Sequence, residues 1–373
     1  MNTDSRILKS YGDLGLDAEG AALLTDEADI YYMTGFHTTA RRPKQIGDNA
    51  VVVLPDAVYF VIPIKWEQQV RAQVSTQCRI VVYDGTQADY FEKTAALAGS
   101  ACSAIWTEYD TMPLALWNFF HEKFPKTVWR DITHKMAQIR MIKSGCEIAR
   151  LRKAAAVAVA AMEYTQHTIQ EGMLEWDLAA EVEYQMRKRG SEGVPFTMKA
   201  LSGPKSAVVT EVPGMRKIQR GDLVLLDFGA VCEGYASDWT RTFCVEEAGK
   251  KQTDIYESVF RIKEACENLL KPGIHIERLV RTAGKMAEEA GFAGYYQTHL
   301  GHSVGIRSHE APIMDEGTTG TLKENMVVTI EPGIYVPGIG GVRLEDEYLI
   351  TKEGAEKLTG LHSEHWILRK EQI

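Results

Sequence analysis

The sequence has no uninterrupted apolar stretch of roughly 18 residues, which is the length that a membrane-spanning helix needs. Its beginning, MNTDSRILKS, also lacks the basic segment and apolar core of a secretory signal peptide. These two absences argue against a membrane-spanning or exported protein. They predict a cytoplasmic protein with no membrane partner.

Cysteine is sparse and shows no pattern. The six cysteines include no CxxC pair and do not reach the density of a disulfide scaffold. We therefore expect reduced thiols that are mostly buried as small apolar side chains. The six positions are Cys78, Cys102, Cys146, Cys232, Cys244 and Cys266.

Clusters of basic residues are missing as well. The formal net charge is −9, and the 42 lysine and arginine residues are dispersed along the chain. Because binding to nucleic-acid phosphates requires clustered positive charge, the sequence predicts no nucleic-acid partner. Part of the negative charge is a candidate for metal ligation.

The chain does contain enough apolar sequence for large cores. Its 373 residues exceed the size at which one hydrophobic core usually stops growing, and 45% of them are hydrophobic. We therefore expect two domains. Near residue 135 the sequence changes from aromatic and β-branched segments to a long alanine-rich helical pattern, which predicts domains at 1–135 and 136–373.

The first domain alternates segments typical of strands and helices. Residues 50–64 form two apolar runs broken by Pro55-Asp56-Ala57, which is the pattern of a hairpin. Strand patterns follow at 80–83 and 104–108, and helical patterns at 65–74, 90–98 and 113–123. This order predicts a small α/β domain with a mixed sheet.

The second domain begins with a well-marked helix. Ser144 and Glu147 have the spacing of a capping box, and apolar residues then recur at steps of three and four until Gly172. Further helices are predicted at 174–189, 254–270 and 275–290, and strands at 223–228, 235–245, 327–330 and 345–350. We predict an α+β domain in which helices cover a curved antiparallel sheet.

Four acidic residues of this domain lie at positions where the charge of a buried carboxylate would need a compensating partner. Asp227 and Glu331 end apolar strand patterns, and Asp238 lies in the strand after a glycine turn. Glu345 lies in an acidic segment beside another strand pattern. Burying an unpaired carboxylate costs several kcal/mol, yet each residue alone is also explained by a turn cap, a salt bridge or a solvated face.

A histidine completes the set. His302 lies between Gly301 and Gly305, where the backbone can approach a ligand closely, although alone it is typical of a structural histidine. Together, four carboxylates and one imidazole match divalent manganese, cobalt, iron or zinc. Two such ions roughly 3.5 to 4 Å apart would neutralise the carboxylates, so we expect the metal-free protein to be less stable.

Several motifs in the second domain resemble those of the M24 metallopeptidases of pita-bread fold, and the Xaa-Pro aminopeptidase and prolidase branch in particular. A weaker match, YYMTGF at 31–36, resembles the creatinase-type N-terminal domain. The matching motifs are RMIKSGCEI at 140–148, GDLVLLDFG at 221–229, GYASDWTRT at 234–242, GHSVG at 301–305, HEAP at 309–312, TIEPGIY at 329–335 and GVRLED at 341–346.

The resemblance implies an α+β pita-bread catalytic domain behind a smaller α/β creatinase-like domain, with two divalent ions per chain, preferably manganese. It implies that Asp238 and Glu345 hold both ions, or one each with Asp227, and that His302 caps one of them. Hydrolysis of Xaa-Pro bonds would then proceed through a hydroxide that bridges the two metals.

The resemblance also implies roles for other residues. Glu331 would ligate metal and relay a proton to the leaving amine, His309 would contact the substrate carbonyl, and Arg343 would support the site or bind a product carboxylate. Thr240 is expected to orient Asp238, and Tyr335 to contact substrate. A homodimer is implied as well, because the N-terminal domain of such enzymes often reaches over the partner's active site.

This chain departs from the family at two substrate-binding histidines. Thr210 and Thr298 occupy their positions, and His299 lies one place after the second; in a strand, that shift would turn it to the opposite face. Threonine still donates a hydrogen bond but carries no proton near neutral pH. Lys205 replaces a family asparagine, either as a cation facing a substrate carboxylate or as a surface lysine.

Three hypotheses for the function follow. The first is a dinuclear metallohydrolase that cleaves dipeptides or short peptides with proline in second place. The second, favoured by the two threonines, is a family member acting on a small amide or a creatine-, ectoine- or sulfonium-like compound. The third is a metal-binding protein without catalysis. In the N-terminal domain, His37, Arg41 and Arg42 are either substrate-selecting or ordinary loop residues.

Overall fold

The computed structural model describes residues 12, 14–16, 20–37, 49–55, 57–74, 77–99, 103–360 and 365–369. The chain divides into two compact units, Met1–Arg140 and Met141–Ile373. The sequence places the boundary near residue 135, inside the helix Thr133–Met141. The change in composition therefore precedes the point at which the packing of the chain divides.

The first unit is built on a mixed six-stranded sheet in the order β4-β3-β2-β1-β5-β6. Its strands are β1 Gly20–Leu24, β2 Ala50–Leu54, β3 Ala57–Pro63, β4 Cys78–Tyr83, β5 Ala104–Thr107 and β6 Val128–Asp131. Its helices are α1 Glu27–Thr34, α2 Glu67–Gln73, α3 Gln87–Ala98, α4 Leu114–Lys123 and α5 Thr133–Met141.

The pairing in this sheet confirms the predicted hairpin and the predicted mixed sheet. Strands β2 and β3 are antiparallel with Val51 opposite Phe60, whereas β5 runs parallel to both β1 and β6. Side chains of α3 and α4, such as Tyr90 and Phe120, pack with Leu23 in one buried core. Burial of these large apolar side chains is the main stabilising term in this unit.

The second unit combines helices with mostly antiparallel strands, as predicted. Its helices are α6 Gly145–Thr165, α7 Glu175–Lys188, α8 Lys250–Glu267 and α9 Ile276–Glu289. Its strands are β7 Lys199–Ser202, β8 Leu223–Phe228, β9 Val231–Cys232, β10 Tyr235–Ala236, β11 Trp239–Val245, β12 His302–Ser303, β13 Glu310–Ile313, β14 Val327–Ile330, β15 Gly333–Val336, β16 Gly340–Arg343, β17 Asp346–Ile350, β18 Ala355–Lys357 and β19 Ile367–Leu368.

Helix α6 starts at the predicted capping box, in which the Ser144 amide donates to the Glu147 carboxylate at 2.8 Å. It ends at Thr165, earlier than the predicted Gly172. The amide and the hydroxyl of Thr168 both bind the Thr165 carbonyl, each at 2.8 Å. These local bonds satisfy a carbonyl at the helix end, so the chain leaves the helix although Ile169 is still buried.

The strands of this unit form two main sheets rather than the single curved sheet predicted. One has the order β19-β11-β8-β7, and the other has the order β13-β12-β14-β17-β18. Apolar side chains of α8 and α9 pack with the second sheet, and those of α6 and α7 with the first. The candidate metal ligands therefore come from both sheets.

A buried charge network links the two sheets next to Glu345. The Asp346 carboxylate accepts from Arg241 at 2.7 Å and from Lys263, and Arg241 also donates to the Glu345 carbonyl at 2.6 Å. Burial raises the pKa of Asp346, but the two cations outweigh it and hold the pKa below its ordinary value. The network therefore keeps its charge near neutral pH and fixes the backbone at Glu345.

The five cysteines that the structure describes are free thiols. Cys78, Cys232, Cys244 and Cys266 are buried, and Cys146 is exposed. Cys102 lies outside the described residues. Among the described helices, none combines the length and the apolar character required to cross a membrane.

Candidate functional site

The first two candidate ligands lie on neighbouring strands of the four-stranded sheet. Asp227 is in β8, and in the antiparallel register it lies opposite Thr240 of β11. Asp238 immediately precedes β11. Its amide donates to the Glu347 carboxylate, which fixes the backbone of Asp238. Both aspartates are buried.

The other three candidates come from the five-stranded sheet and its edge. His302 is in β12, Glu331 follows β14, and Glu345 lies directly before β17. The glycine at Gly301 is required here, because a Cβ on it would lie only 2.2 Å from the Thr329 carbonyl oxygen. This close approach of the backbone brings His302 beside Glu331.

The five side chains converge. The Nε2 atom of His302 is 3.0 Å from Glu331 Oε1 and 3.7 Å from Asp238 Oδ2. One ligand atom from each of Asp238, His302 and Glu345 lies within 4.8 Å of the other two, a spacing that suits a shared ion. Asp227 is connected to Glu331 through Arg343, which contacts both carboxylates.

The electrostatics of this cluster favour a bound cation. Burial, together with repulsion between neighbouring carboxylates, raises the pKa of Asp238 and of Glu345 well above the ordinary values. Burial also raises the pKa of Asp227, although Arg343 opposes this effect. Protons or metal ions would relieve the repulsion, so the site prefers to bind one or the other.

One buried oxygen points to a metal rather than to a proton alone. Glu345 Oε2 accepts from Thr240 at 2.7 Å, but Glu345 Oε1 is buried and has no hydrogen-bond partner among the described residues. Buried polar atoms are rarely left unsatisfied. Hard oxygen donors with one imidazole nitrogen fit divalent manganese, cobalt, iron or zinc, so the residues present fit two such ions.

Glu331 is the most accessible of the four carboxylates, with 12% of its side chain exposed. Burial raises its pKa, but hydrogen bonds with His299 and His302 outweigh burial and hold the pKa well below the ordinary value. The hydroxyl of Thr329 donates to Glu331 at 3.2 Å and accepts from the His302 amide at 3.1 Å. Glu331 is thus an ionised, oriented carboxylate at the edge of the cluster.

Arg343 is buried in the centre of this network. It donates to Asp227, to Thr240 at 3.1 Å and to the Tyr335 hydroxyl at 2.6 Å. The structure corrects the expectation that Thr240 orients Asp238, because the Thr240 hydroxyl donates to Glu345. Thr240 lies opposite Asp227 in the strand pair, and the Thr240 hydroxyl accepts a hydrogen bond from Arg343.

His309 stacks on His302, with ring centroids 3.7 Å apart. Partial burial and the neighbouring imidazole of His302 lower the pKa of His309 to about 4. The ring is therefore neutral near pH 7 and can donate a hydrogen bond without carrying a charge. Its position beside the cluster suits contact with a polarised substrate oxygen.

His299 lies beside Glu331, contrary to the prediction that its side chain points to the opposite face. Its Nε2 atom is 3.3 Å from Glu331 Oε1 and its Nδ1 atom is 2.6 Å from Asp315 Oδ1. Burial lowers the pKa of His299, but these two carboxylates outweigh it and raise the pKa to about 9. The prediction assumed that His299 lies in a strand. Residues 297–301 form no strand, so a shift of one residue there does not turn the side chain to the opposite face.

The remaining candidates differ in exposure and in partners. Thr210 and Thr298 are both exposed, and their substrate contacts stay predictions. Lys205 pairs with the buried carboxylate of Glu175 at 2.8 Å, so its charge is already compensated inside the fold. In the first unit, His37 contacts the ring of Tyr31. Arg41 and Arg42 lie outside the described residues.

Comparison with known proteins agrees with this geometry. The family described as metallopeptidase family M24 matches residues 149–352. The creatinase/prolidase N-terminal domain family matches residues 5–142. A protein named Xaa-Pro dipeptidase from Pyrococcus horikoshii is 34% identical over 339 residues, covering 91% of this chain and 92% of the relative.

Solved structures show the same architecture. An Xaa-Pro dipeptidase from Bacillus anthracis superposes with a TM-score of 0.88 at 31% identity, covering 99% of each chain. An X-Pro aminopeptidase from Thermotoga maritima gives a TM-score of 0.85 at 26% identity, covering 98% of this chain and 99% of the other. The predicted fold class, a creatinase-type domain followed by an α+β pita-bread domain, is confirmed.

Replacing Glu345 with glutamine tests whether the cluster binds metal. Because the fold already disfavours the charge of Glu345, we expect metal-free Glu345→Gln to unfold at or above the temperature of the metal-free native protein. Manganese at 100 times its dissociation constant should stabilise the native protein by about 2.7 kcal/mol, and this gain should be largely lost in the variant. Thermal unfolding with and without manganese measures both effects.

The exposed carboxylate of Glu316 supplies a matched control. Glu316→Gln makes the same chemical change outside the cluster, so it should respond to manganese as the native protein does. A full manganese response in Glu345→Gln would contradict the ligand assignment.

Proposed function

The chain belongs to metallopeptidase family M24, and we propose that it hydrolyses the bond before proline in dipeptides or short peptides. The relatives named Xaa-Pro dipeptidase and X-Pro aminopeptidase support this substrate class. The proposal further assigns two divalent ions, preferably manganese, to one set of five side chains. These are Asp227, Asp238, His302, Glu331 and Glu345.

The observation that carries the proposal is the grouping of Asp238 and Glu345 with His302, close to Glu331, where Glu345 Oε1 has no hydrogen-bond partner among the described residues. A purely structural cluster would be expected to satisfy that oxygen with a hydrogen bond. When bound, two divalent ions would polarise the scissile carbonyl and lower the pKa of the attacking water. The remaining steps belong to side chains of this chain.

Glu331 is proposed to move the proton. Its carboxylate is ionised, faces the open side of the cluster and is held by Thr329 and His302. It would take a proton from the attacking water at Oε1 or Oε2 and deliver it to the nitrogen of the leaving proline. His299, which bridges Glu331 and Asp315, would hold that carboxylate in place.

His309 is proposed to stabilise the oxygen that becomes negative. A neutral imidazole can donate one N–H to the scissile carbonyl oxygen as charge develops there, and such donors contribute strongly to acyl-transfer catalysis. Arg343 is proposed to act indirectly, since each of its three guanidinium nitrogens already donates within the site, to Asp227, Thr240 or Tyr335. Contacts of Tyr335, Thr210 and Thr298 with substrate remain part of the proposal.

A second candidate is hydrolysis of a small non-peptide amide or a creatine-like compound. The replacement of two family histidines by Thr210 and Thr298 favours it. The position of His299 weakens it, because an imidazole is present beside Glu331 after all. The cation of Lys205, paired with Glu175, offers it no support. A homodimer and a cytoplasmic location are retained as predictions.

The proposal is tested by measuring metal content together with rates on Ala-Pro, Ala-Pro-Ala and Ala-Ala, with and without manganese. We expect close to two ions per chain and manganese-dependent cleavage of at least one proline peptide, while Ala-Ala is cleaved slowly. Cleavage of Ala-Pro alone would identify a dipeptidase. Two ions without peptide turnover would favour the small-amide candidate, and less than one ion per chain would contradict both.

Replacing Glu331 with glutamine tests the proton transfer. Loss of a positioned general base or acid typically slows a reaction about 10²- to 10⁴-fold, so we expect at least that loss in kcat on the best proline peptide. Glu316→Gln is the control and should retain the native rate. Native-like kcat in a metal-loaded Glu331→Gln variant would contradict the role of Glu331.

A further inference from the structure

Lys143 belongs to the motif at 140–148 but has no part in the proposed ligand set. It lies between α5 and α6, immediately before the Ser144 cap, and its side chain is almost fully buried, with 1% exposed. A buried lysine is costly unless its ammonium is paired and hydrogen-bonded. Its partners therefore indicate what the residue does.

The ammonium of Lys143 contacts two strands at once. It donates to the hydroxyl of Ser303 at 2.8 Å and lies 3.5 Å from the carboxylate of Glu310. Ser303 and Glu310 are opposite each other in the β12–β13 pair. Each is directly adjacent to a histidine of the site, since Ser303 follows His302 and Glu310 follows His309. One cation thus links the two histidine-bearing segments.

The surroundings hold this link in place. The Lys143 amide donates to the Asn325 carbonyl at 2.9 Å, and the Ser303 hydroxyl donates to the Val327 carbonyl at 2.9 Å. A Cβ at Gly305 would lie 2.4 Å from a carboxylate oxygen of Glu310, so glycine leaves room for that carboxylate in its present position. The carboxylate is therefore confined between Gly305 and the ammonium.

We propose that Lys143 is a positioning residue that fixes His309 against His302 by bridging Ser303 and Glu310. The stacked rings, 3.7 Å apart, lie at the end of the bridged strand pair. Without the ammonium, the link between Ser303 and Glu310 is lost, and the Glu310 carboxylate shifts towards its other donors, such as the Arg307 amide at 3.3 Å, taking His309 with it. The effect of this ring spacing on catalysis rests on the proposed function. The ring spacing itself is seen in the structure.

The test compares Lys143→Met with Arg216→Met. Arg216 pairs with Asp222, which precedes β8 at the end of that strand opposite Asp227, so the control also removes a cation from an ion pair. In metal-free protein, we expect amide hydrogen exchange in residues 301–313 to accelerate in Lys143→Met and to be unchanged in Arg216→Met. This readout does not depend on catalysis.

Loading with cobalt gives a second readout. Residues that orient metal ligands typically change metal affinity or activity about 10- to 100-fold. We expect Lys143→Met to weaken cobalt binding by that factor and to alter the visible spectrum of the bound ion, with kcat on a proline peptide lowered more than KM is raised. Lys143→Arg, which keeps the charge, should restore part of each effect.

Two outcomes would overturn the proposal. One is unchanged exchange in residues 301–313 together with a native cobalt spectrum in Lys143→Met. The other is an equal change in Arg216→Met, which would indicate general destabilisation. If Lys143→Met does not fold, Lys143→Met/Glu310→Gln removes both charges and should show the same local exchange. If the native protein cleaves no proline peptide, the exchange and cobalt measurements still decide the role of Lys143.

Discussion

The constraint on which the catalytic unit depends is the grouping of four carboxylates, three buried and one partly exposed, in one small volume. Carboxylates that are removed from water and placed near one another cannot all remain ionised without positive charge close by. Arg343 supplies one such charge, beside Asp227. In the proposed function, two divalent ions supply the remainder. Much of the surrounding hydrogen bonding keeps these groups at fixed distances.

That arrangement explains why the site takes residues from two sheets rather than from one loop. Strands β8 and β11 bring two aspartates together through their antiparallel register, while β12, β14 and the start of β17 bring the histidine and the glutamates. Buried hydrogen bonds then connect the sheets, from Thr240 to Glu345 and from Arg241 to the Glu345 carbonyl. Each contact limits the movement of a carboxylate that would otherwise turn towards water.

Much of the architecture could be predicted because it follows from local patterns. The hairpin at Ala50–Pro63 and the start of α6 at Ser144 depend on turn and capping residues that lie next to them in sequence. The position of His299 and the partner of Thr240 depend on contacts between distant segments. Residue spacing carries no information about such contacts, so both features were predicted wrongly. The early end of α6 is local, since Thr168 binds the Thr165 carbonyl, but the apolar spacing continues past it and does not mark it.

The central claim is that the five side chains form one centre for two metal ions. Crystals grown with manganese and measured at its absorption edge test it most directly, because the anomalous signal locates the ions without reference to activity. The account predicts two peaks, roughly 3.5 to 4 Å apart, in contact with Asp227, Asp238, His302, Glu331 and Glu345. Crystals that bind manganese elsewhere, or not at all, would contradict it.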